Sequence, residues 1–190
     1  MTAIEPSDRE LIERYLKDRD EASLRLLFGR HFGAVRGYLL RFLGSAPDAD
    51  DLTQETLIKA WRQMRKFRLD GNFRAWLFGI ARHAALDWFR KRRDRPFASF
   101  EDEFGGNPLA DNLEDDADLP EVALDAAVAV AELQTALDKL PLPFREVVVL
   151  RHQNELTFEE LGTILKEPLN TVKSRYRQAL LALRKIMTPP

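Results

Sequence analysis

The chain has 190 residues, 45% of them hydrophobic, which is enough for one or two packed domains. No apolar run reaches the length of a membrane span, MTAIEPSDRE does not read as a signal peptide, and zero cysteines exclude a disulfide framework and a thiolate metal site, as expected of a cytoplasmic protein. The net charge of −2 hides an asymmetry, because residues 94–121 hold ten acids against one base, Arg95, a balance of −9 that leaves +7 elsewhere.

Helical periodicity runs nearly throughout and no strand is expected, so the fold class is all-α. A first helix opens at a capping box, Ser7–Glu10, and continues through Leu11, Ile12, Tyr15 and Leu16. A second, from about Glu21 to Leu43, carries Leu24, Leu27, Phe28, Phe32, Val35, Leu39 and Phe42, and breaks at Gly44 and Pro47. Asp48 is expected to cap a third helix, to about Met64, with acids in the first turn where the helix dipole favours them. There Leu52, Thr56, Leu57, Ala60, Trp61 and Met64 make the apolar face. Asp50, Asp51, Gln54 and Glu55 leave an acidic-polar patch suited to a basic protein partner. FRLDGN at 67–72 reads as a loop, and Asn72 caps a fourth helix to about Arg93.

This fourth segment mixes Phe67, Phe73, Trp76, Phe78, Trp88 and Phe89 with Arg74, Arg82, Arg90, Lys91, Arg92 and Arg93. Aromatics among cations suit single-stranded nucleic acid, whose bases need a stacking platform and whose phosphates need counter-charge. Packing accounts for much of the same pattern, since Phe73, Trp76, Leu77, Ile80, Ala84 and Trp88 fit one helical stripe. Phe67, the loop and the Arg82/His83 face remain as the better ligand candidates.

The first domain is expected to span 1–95, ending before Pro96. Residues 96–120, with Gly105, Gly106, Pro108 and Pro120, read as an acidic flexible linker, and 121–190 as a second helical domain. VVVL at 147–150 is β-branched, but it continues a helical spacing through Leu140, Phe144, Val148 and His152, so it is assigned to helix. The end of the chain reads as a helix-turn-helix. Thr157 and Glu160 form a capping box, and Leu161, Ile164 and Leu165 share a face. Pro168 interrupts, and Asn170 is expected to cap a helix from Thr171 to about Ile186 that buries Val172, Tyr176, Ala179, Leu180 and Leu183. The opposite face offers Lys173, Ser174, Arg175, Arg177 and Gln178, side chains that bond phosphates and base edges in a major groove.

DADDLTQETLIKAWRQM, FRLDGNFRAWLFGIARHAALDWFRKRR and LPFREVVVLRHQNELTFEELGTILKEPLNTVKSR together resemble bacterial RNA polymerase sigma factors of the extracytoplasmic-function type. The match covers nearly the whole chain, with two independent motifs in the family's order. It implies a four-helix region 2-like domain, an acidic linker and a region 4-like helix-turn-helix domain. It also implies docking of the 48–64 helix on core polymerase through Asp50, Asp51, Gln54 and Glu55. Reading of the melted minus-ten non-template strand falls to Lys59, Phe67, Arg74, Trp76, Arg82 and His83. Reading of the minus-thirty-five duplex falls to Asn170, Thr171, Lys173, Ser174, Arg175 and Arg177. The implied partners are core RNA polymerase, promoter DNA and an anti-sigma factor, with no membrane. No chemistry, metal or cofactor is implied. In that family the linker threads the active-site cleft, where a polyanion suits a basic channel; a solvated tether, or a strap folding back on the basic remainder, are its other readings. Two departures stand out: His83 where many relatives have Asn, and LKEPLN without the glycine usual before the turn, which leaves Lys166 or Glu167 in a conformation glycine takes more easily.

Two other readings compete. A conventional dimeric regulator explains the helix-turn-helix but not residues 48–93. An enzyme would need His83 and Asp87, four apart on one helix, to share a metal or a proton without a third ligand in sight; His31, His83 and His152 are too scattered to supply one.

Overall fold

The computed structural model describes residues 5–92, 128–154 and 156–188, and within them every regular element is helical. The expected linker at 96–120, and both domain borders flanking it, lie outside the described residues. The helices are α1 (Asp8–Asp18), α2 (Glu21–Leu43), α3 (Ala46–Gln63), α4 (Phe73–Arg92), α5 (Val128–Lys139), α6 (Leu142–Asn154), α7 (Phe158–Leu165) and α8 (Leu169–Met187), with a short 3₁₀ turn at Met64–Lys66.

The helix starts follow from local chemistry. Ser7 and Thr157 each accept from the backbone N–H of the residue three positions on, and the glutamates there accept from the cap's own N–H at 2.7 and 2.6 Å. Asn72 caps α4 through Ala75 N–H at 2.9 Å. Two starts differ from expectation. Helix α3 begins at Ala46, because Pro47 in a first turn loses only an amide that has no partner there. Asp48 therefore does not cap; it instead ties the start of α3 to the end of α4, accepting from Ser45, from Trp88 Nε1 at 3.0 Å and facing Arg92 at 3.3 Å. Hydrogen bonds from Ser45 and Trp88, with the nearby Arg92 charge, hold its carboxyl below the usual range. Helix α8 begins at Leu169 with Pro168 at the cap, so Asn170 sits within the first turn and does not cap it.

Helix α2 is the centre of the first unit, packing on α1, α3 and α4. Leu27, Leu39, Tyr38, Phe42, Leu77 and Phe78 are buried there. Tyr38 stacks on Phe42, and Phe78 meets Tyr38 edge-on, a geometry favourable beyond area burial. Phe32 is exposed, on the α2 stripe shared with Gly29, Gly33 and Arg36. In the second unit α6 and α8 pack together, with Leu137, Leu150, Leu156, Leu161, Val172 and Ala179 buried. The two units also touch: α6 lies on α2 and α7 on α4. No helix of the described residues is long and apolar enough to cross a membrane.

Candidate nucleic-acid interface

Helix α3 presents one stripe outward. Asp51, Gln54 and Glu55 are exposed, and Ile58 and Trp61 extend the same stripe at 46% and 48% exposure. Trp61 was expected in the apolar face, but it stands seven residues after Gln54 and so shares its side of the helix, whereas Ala49, Leu52, Thr53, Thr56 and Ala60 face the core. Its indole N–H donates to Tyr15 Oη at 2.6 Å, which fixes the ring while leaving about half of it open. An aromatic anchor beside acids and an amide is the composition of an interface centre. Periodicity counted strictly would have found Ile58 and Trp61; hydrophobicity alone put Trp61 inside. Asp50 is drawn to Arg36 of α2 at 2.5 Å, and Glu55 to Lys59 at 2.6 Å, leaving Asp51 and Gln54 as the polar groups for which no such pairing is seen.

The aromatic segment is a packed cluster. Phe67, Phe73 and Trp76 meet with centroids 5.2–5.7 Å apart, Phe67 and Phe73 are buried, and Trp76 is half-buried. The loop above it is shaped locally. Gly71 N–H donates to Arg68 O at 2.9 Å, a Cβ at Gly71 would stand 3.1 Å from that oxygen, and Arg68 grips Asp70 with two hydrogen bonds. Arg74 is half-buried and Lys59 lies a turn before the 3₁₀ segment. His83 is exposed, its Nδ1 2.6 Å from Gly79 O. Asp87 pairs with Arg90 at 2.7 Å, so His83 and Asp87 are engaged elsewhere and do not pair as an enzyme would require. Among the described residues no three possible ligands converge on a metal position.

Arg82 leaves this face for the other unit. Its guanidinium donates to both carboxylate oxygens of Glu146 on α6, at 2.9 and 3.3 Å, with both side chains nearly buried. Burial raises the Glu146 carboxyl above its ordinary range, and Arg82 pulls against that rise. Asn72, at the loop's end, donates to Glu160 of α7 at 2.6 Å.

In the helix-turn-helix, Asn170, Thr171 and Ser174 are exposed at the start of α8, while Lys173, Arg175 and Arg177 are half-buried. Arg175 lies 2.8 Å from Glu167. Lys166 takes the left-handed conformation, φ 59, as the missing glycine required, and the tight turn is completed by Glu167 N–H donating to Gly162 O at 3.1 Å. A Cβ at Gly162 would stand 3.1 Å from Glu167 O, so the glycine the turn needs sits four residues earlier. Behind that exposed face, Tyr176 and His152 share a 2.6 Å hydrogen bond between α8 and α6. Burial, with Arg151 beside it, lowers the His152 ring's affinity for a proton.

The family profile described as Sigma-70 region 2 matches residues 27–95, and that described as Sigma-70, region 4 matches 136–185. The chain is 30% identical to the RNA polymerase sigma-H factor of Pseudomonas aeruginosa over 96% of its own length and 94% of that protein's. It is 33% identical to the ECF RNA polymerase sigma factor SigW of Bacillus subtilis, over 76% of this chain and 78% of that one. The sigma factor RpoE of Bartonella quintana, solved in complex with the anti-sigma factor NepR, superposes with a TM-score of 0.64 at 27% identity, covering 90% of this chain and 97% of that chain.

Proposed function

The chain belongs to the sigma-70 family of RNA polymerase sigma factors, in its extracytoplasmic-function group, and from that premise we propose a division of labour among its surfaces. As a sigma factor it binds core RNA polymerase and directs promoter-specific initiation, and it is not an enzyme. The first domain, 1–95, docks on polymerase through the α3 stripe led by Asp51 and Gln54, with Asp50 and Glu55 flanking and Ile58 and Trp61 as its apolar anchor. The same domain takes the melted minus-ten strand over the 67–72 loop, with Lys59, Arg74, Arg82 and His83 around the platform that Phe67 and Trp76 support. The domain 121–190 reads the minus-thirty-five duplex with Asn170, Thr171, Lys173, Ser174, Arg175 and Arg177, and 96–120 tethers the two. The protein works in the cytoplasm beside its polymerase. An anti-sigma factor, such as the one bound to the Bartonella quintana relative, holds it in reserve.

One observation carries this reading: a single chain presents both an acidic, Trp-bearing stripe on α3 and a capped helix pair whose second helix opens with exposed Asn170, Thr171 and Ser174. Tethering two weak DNA contacts raises their effective concentration, and phosphate contacts make the sum steeply salt-dependent. The test is run-off transcription by core polymerase plus this chain on promoters selected from a random-sequence template pool. Lys173→Ala or Arg177→Ala should cost about 1–3 kcal/mol in minus-thirty-five recognition where the side chain reads a base. An unchanged base preference in both variants would remove α8 from that role.

A further inference from the structure

Where the end of α1 meets the end of α3 lies a cleft of about 180 Å³, lined by Tyr15, Arg19, Trp61, Arg62, Met64 and Arg65. Tyr15 and Met64 are buried and make its floor. The Trp61 indole, tied to the Tyr15 hydroxyl at 2.6 Å, is a fixed wall with about half of its surface open.

Three guanidiniums stand around this floor. Arg62 and Arg65 are three residues apart where α3 tightens into the 3₁₀ turn, a spacing that brings side chains to one side. Arg19 stands over the Tyr15 ring, 5.8 Å from its centre. None of the three has an ion-pair partner among the described residues, whereas Arg9, Arg30, Arg36, Arg68 and Arg82 all do. Arg19 also holds a left-handed backbone, φ 56, at the close of α1, a conformation glycine takes more easily. Attraction to the negative end of the α1 dipole accounts for one cation there, but not for three around one cleft with no carboxylate in its lining.

Such a lining selects an anion of high charge, and arginine forks match phosphate oxygens two at a time. The cations converge on one small cavity instead of running along a groove, as a nucleic-acid backbone with one charge per phosphate requires. A terminal diphosphate concentrates its charge in that way. The volume falls below the roughly 300–1,000 Å³ that encloses a whole ligand, so the phosphates enter and the rest of the molecule stays outside. There the open half of Trp61 offers a stacking face for a base. The geometry points to a binding site for a free nucleoside diphosphate, its phosphates on Arg19, Arg62 and Arg65 and its base on Trp61. Resting on the polymerase-docking reading above, in which Trp61 is the apolar anchor, an occupied cleft withdraws that ring from polymerase.

The test titrates the full chain by calorimetry with three separate probes: adenosine 5′-diphosphate, inorganic pyrophosphate and adenosine. The diphosphate should bind saturably at one site, pyrophosphate more weakly, and adenosine without saturable heat. Arg62→Gln/Arg65→Gln should raise the Kd for adenosine diphosphate at least about tenfold, and Trp61→Leu about fivefold while leaving pyrophosphate binding unchanged. Arg25→Gln/Arg184→Gln, which removes two exposed guanidiniums that do not line the cleft, should bind as wild type does. Equal weakening by the two double variants, or no saturable heat with wild type, would overturn the site. Loss of single-stranded DNA 20-mer binding in Arg62→Gln/Arg65→Gln, with no diphosphate heat in wild type, would give the arginines to a strand instead. Saturating adenosine diphosphate should also reduce co-elution of wild type with core polymerase and leave that of Arg62→Gln/Arg65→Gln unchanged. Undiminished wild-type co-elution despite diphosphate binding would overturn the link to docking. If Asp51→Arg/Gln54→Ala then co-elutes as well, the docking reading is what fails and the nucleotide site stands.

Discussion

The two surfaces proposed to bind DNA are built in opposite ways. The minus-ten surface is the outer shell of an aromatic cluster: Phe67, Phe73 and Trp76 are simultaneously its foundation and its platform, and its cations Lys59 and Arg82 are already paired with acids. The surface proposed for the minus-thirty-five element is the exposed start of one helix, in which Asn170, Thr171 and Ser174 lie outside the core while Val172, Tyr176 and Ala179 behind them are buried in it. Melting a duplex demands a preformed pocket that pays for unstacking, whereas reading a groove demands only side chains held at the right spacing. Stability and recognition are therefore fused in the first surface and separable in the second.

The largest expected effect tests that fusion. Phe73→Ala, at a site 4% exposed, should destabilise the first unit by about 3–5 kcal/mol in denaturant unfolding, while Thr171→Ala stays within about 0.5 kcal/mol. Comparable losses in the two variants would break the comparison. A smaller effect sharpens it. Lys166→Gly relieves the left-handed strain at the turn before α8 and should stabilise the second unit by somewhat less than about 1 kcal/mol, since glycine also gains freedom in the unfolded chain. The smallest is a pH effect behind the reading face. Because burial lowers the His152 pKa below its ordinary 6.5, the unfolded chain binds that proton first. Its contribution to stability is complete above about pH 6.5 and is lost as pH falls through the lowered value. Solvent screening keeps this effect small, and it is read as a lower melting temperature at pH 5.5 than at pH 7.5 that His152→Gln flattens.

What was legible in the sequence was whatever is local. The two capping boxes, Asn72 at the head of α4, the helical reading of VVVL and a left-handed residue at Lys166 or Glu167 all rest on groups within a few positions of one another, and all stand in the structure, the last at Lys166. Expectation and structure part where a residue type outweighs its position: Asp48 reads as a cap although a first turn accepts Pro47 and lets the helix start at Ala46, and Trp61 reads as part of the apolar face although its spacing puts it outside. The Arg82–Glu146 pair, 64 residues apart, left no local signal at all, since each residue taken alone reads as a solvated charge on an amphipathic helix.

The claim on which the rest depends is that this chain docks on core RNA polymerase through the outward stripe of α3. Co-elution of the purified chain with bacterial core polymerase on a sizing column, beside an Asp51→Arg/Gln54→Ala variant whose exposed positions leave the fold intact, tests it directly. The account predicts a complex with the wild type and none with the variant. Wild-type protein that runs apart from core polymerase while binding duplex DNA unaided, or a variant that co-elutes as well as the wild type, would contradict it.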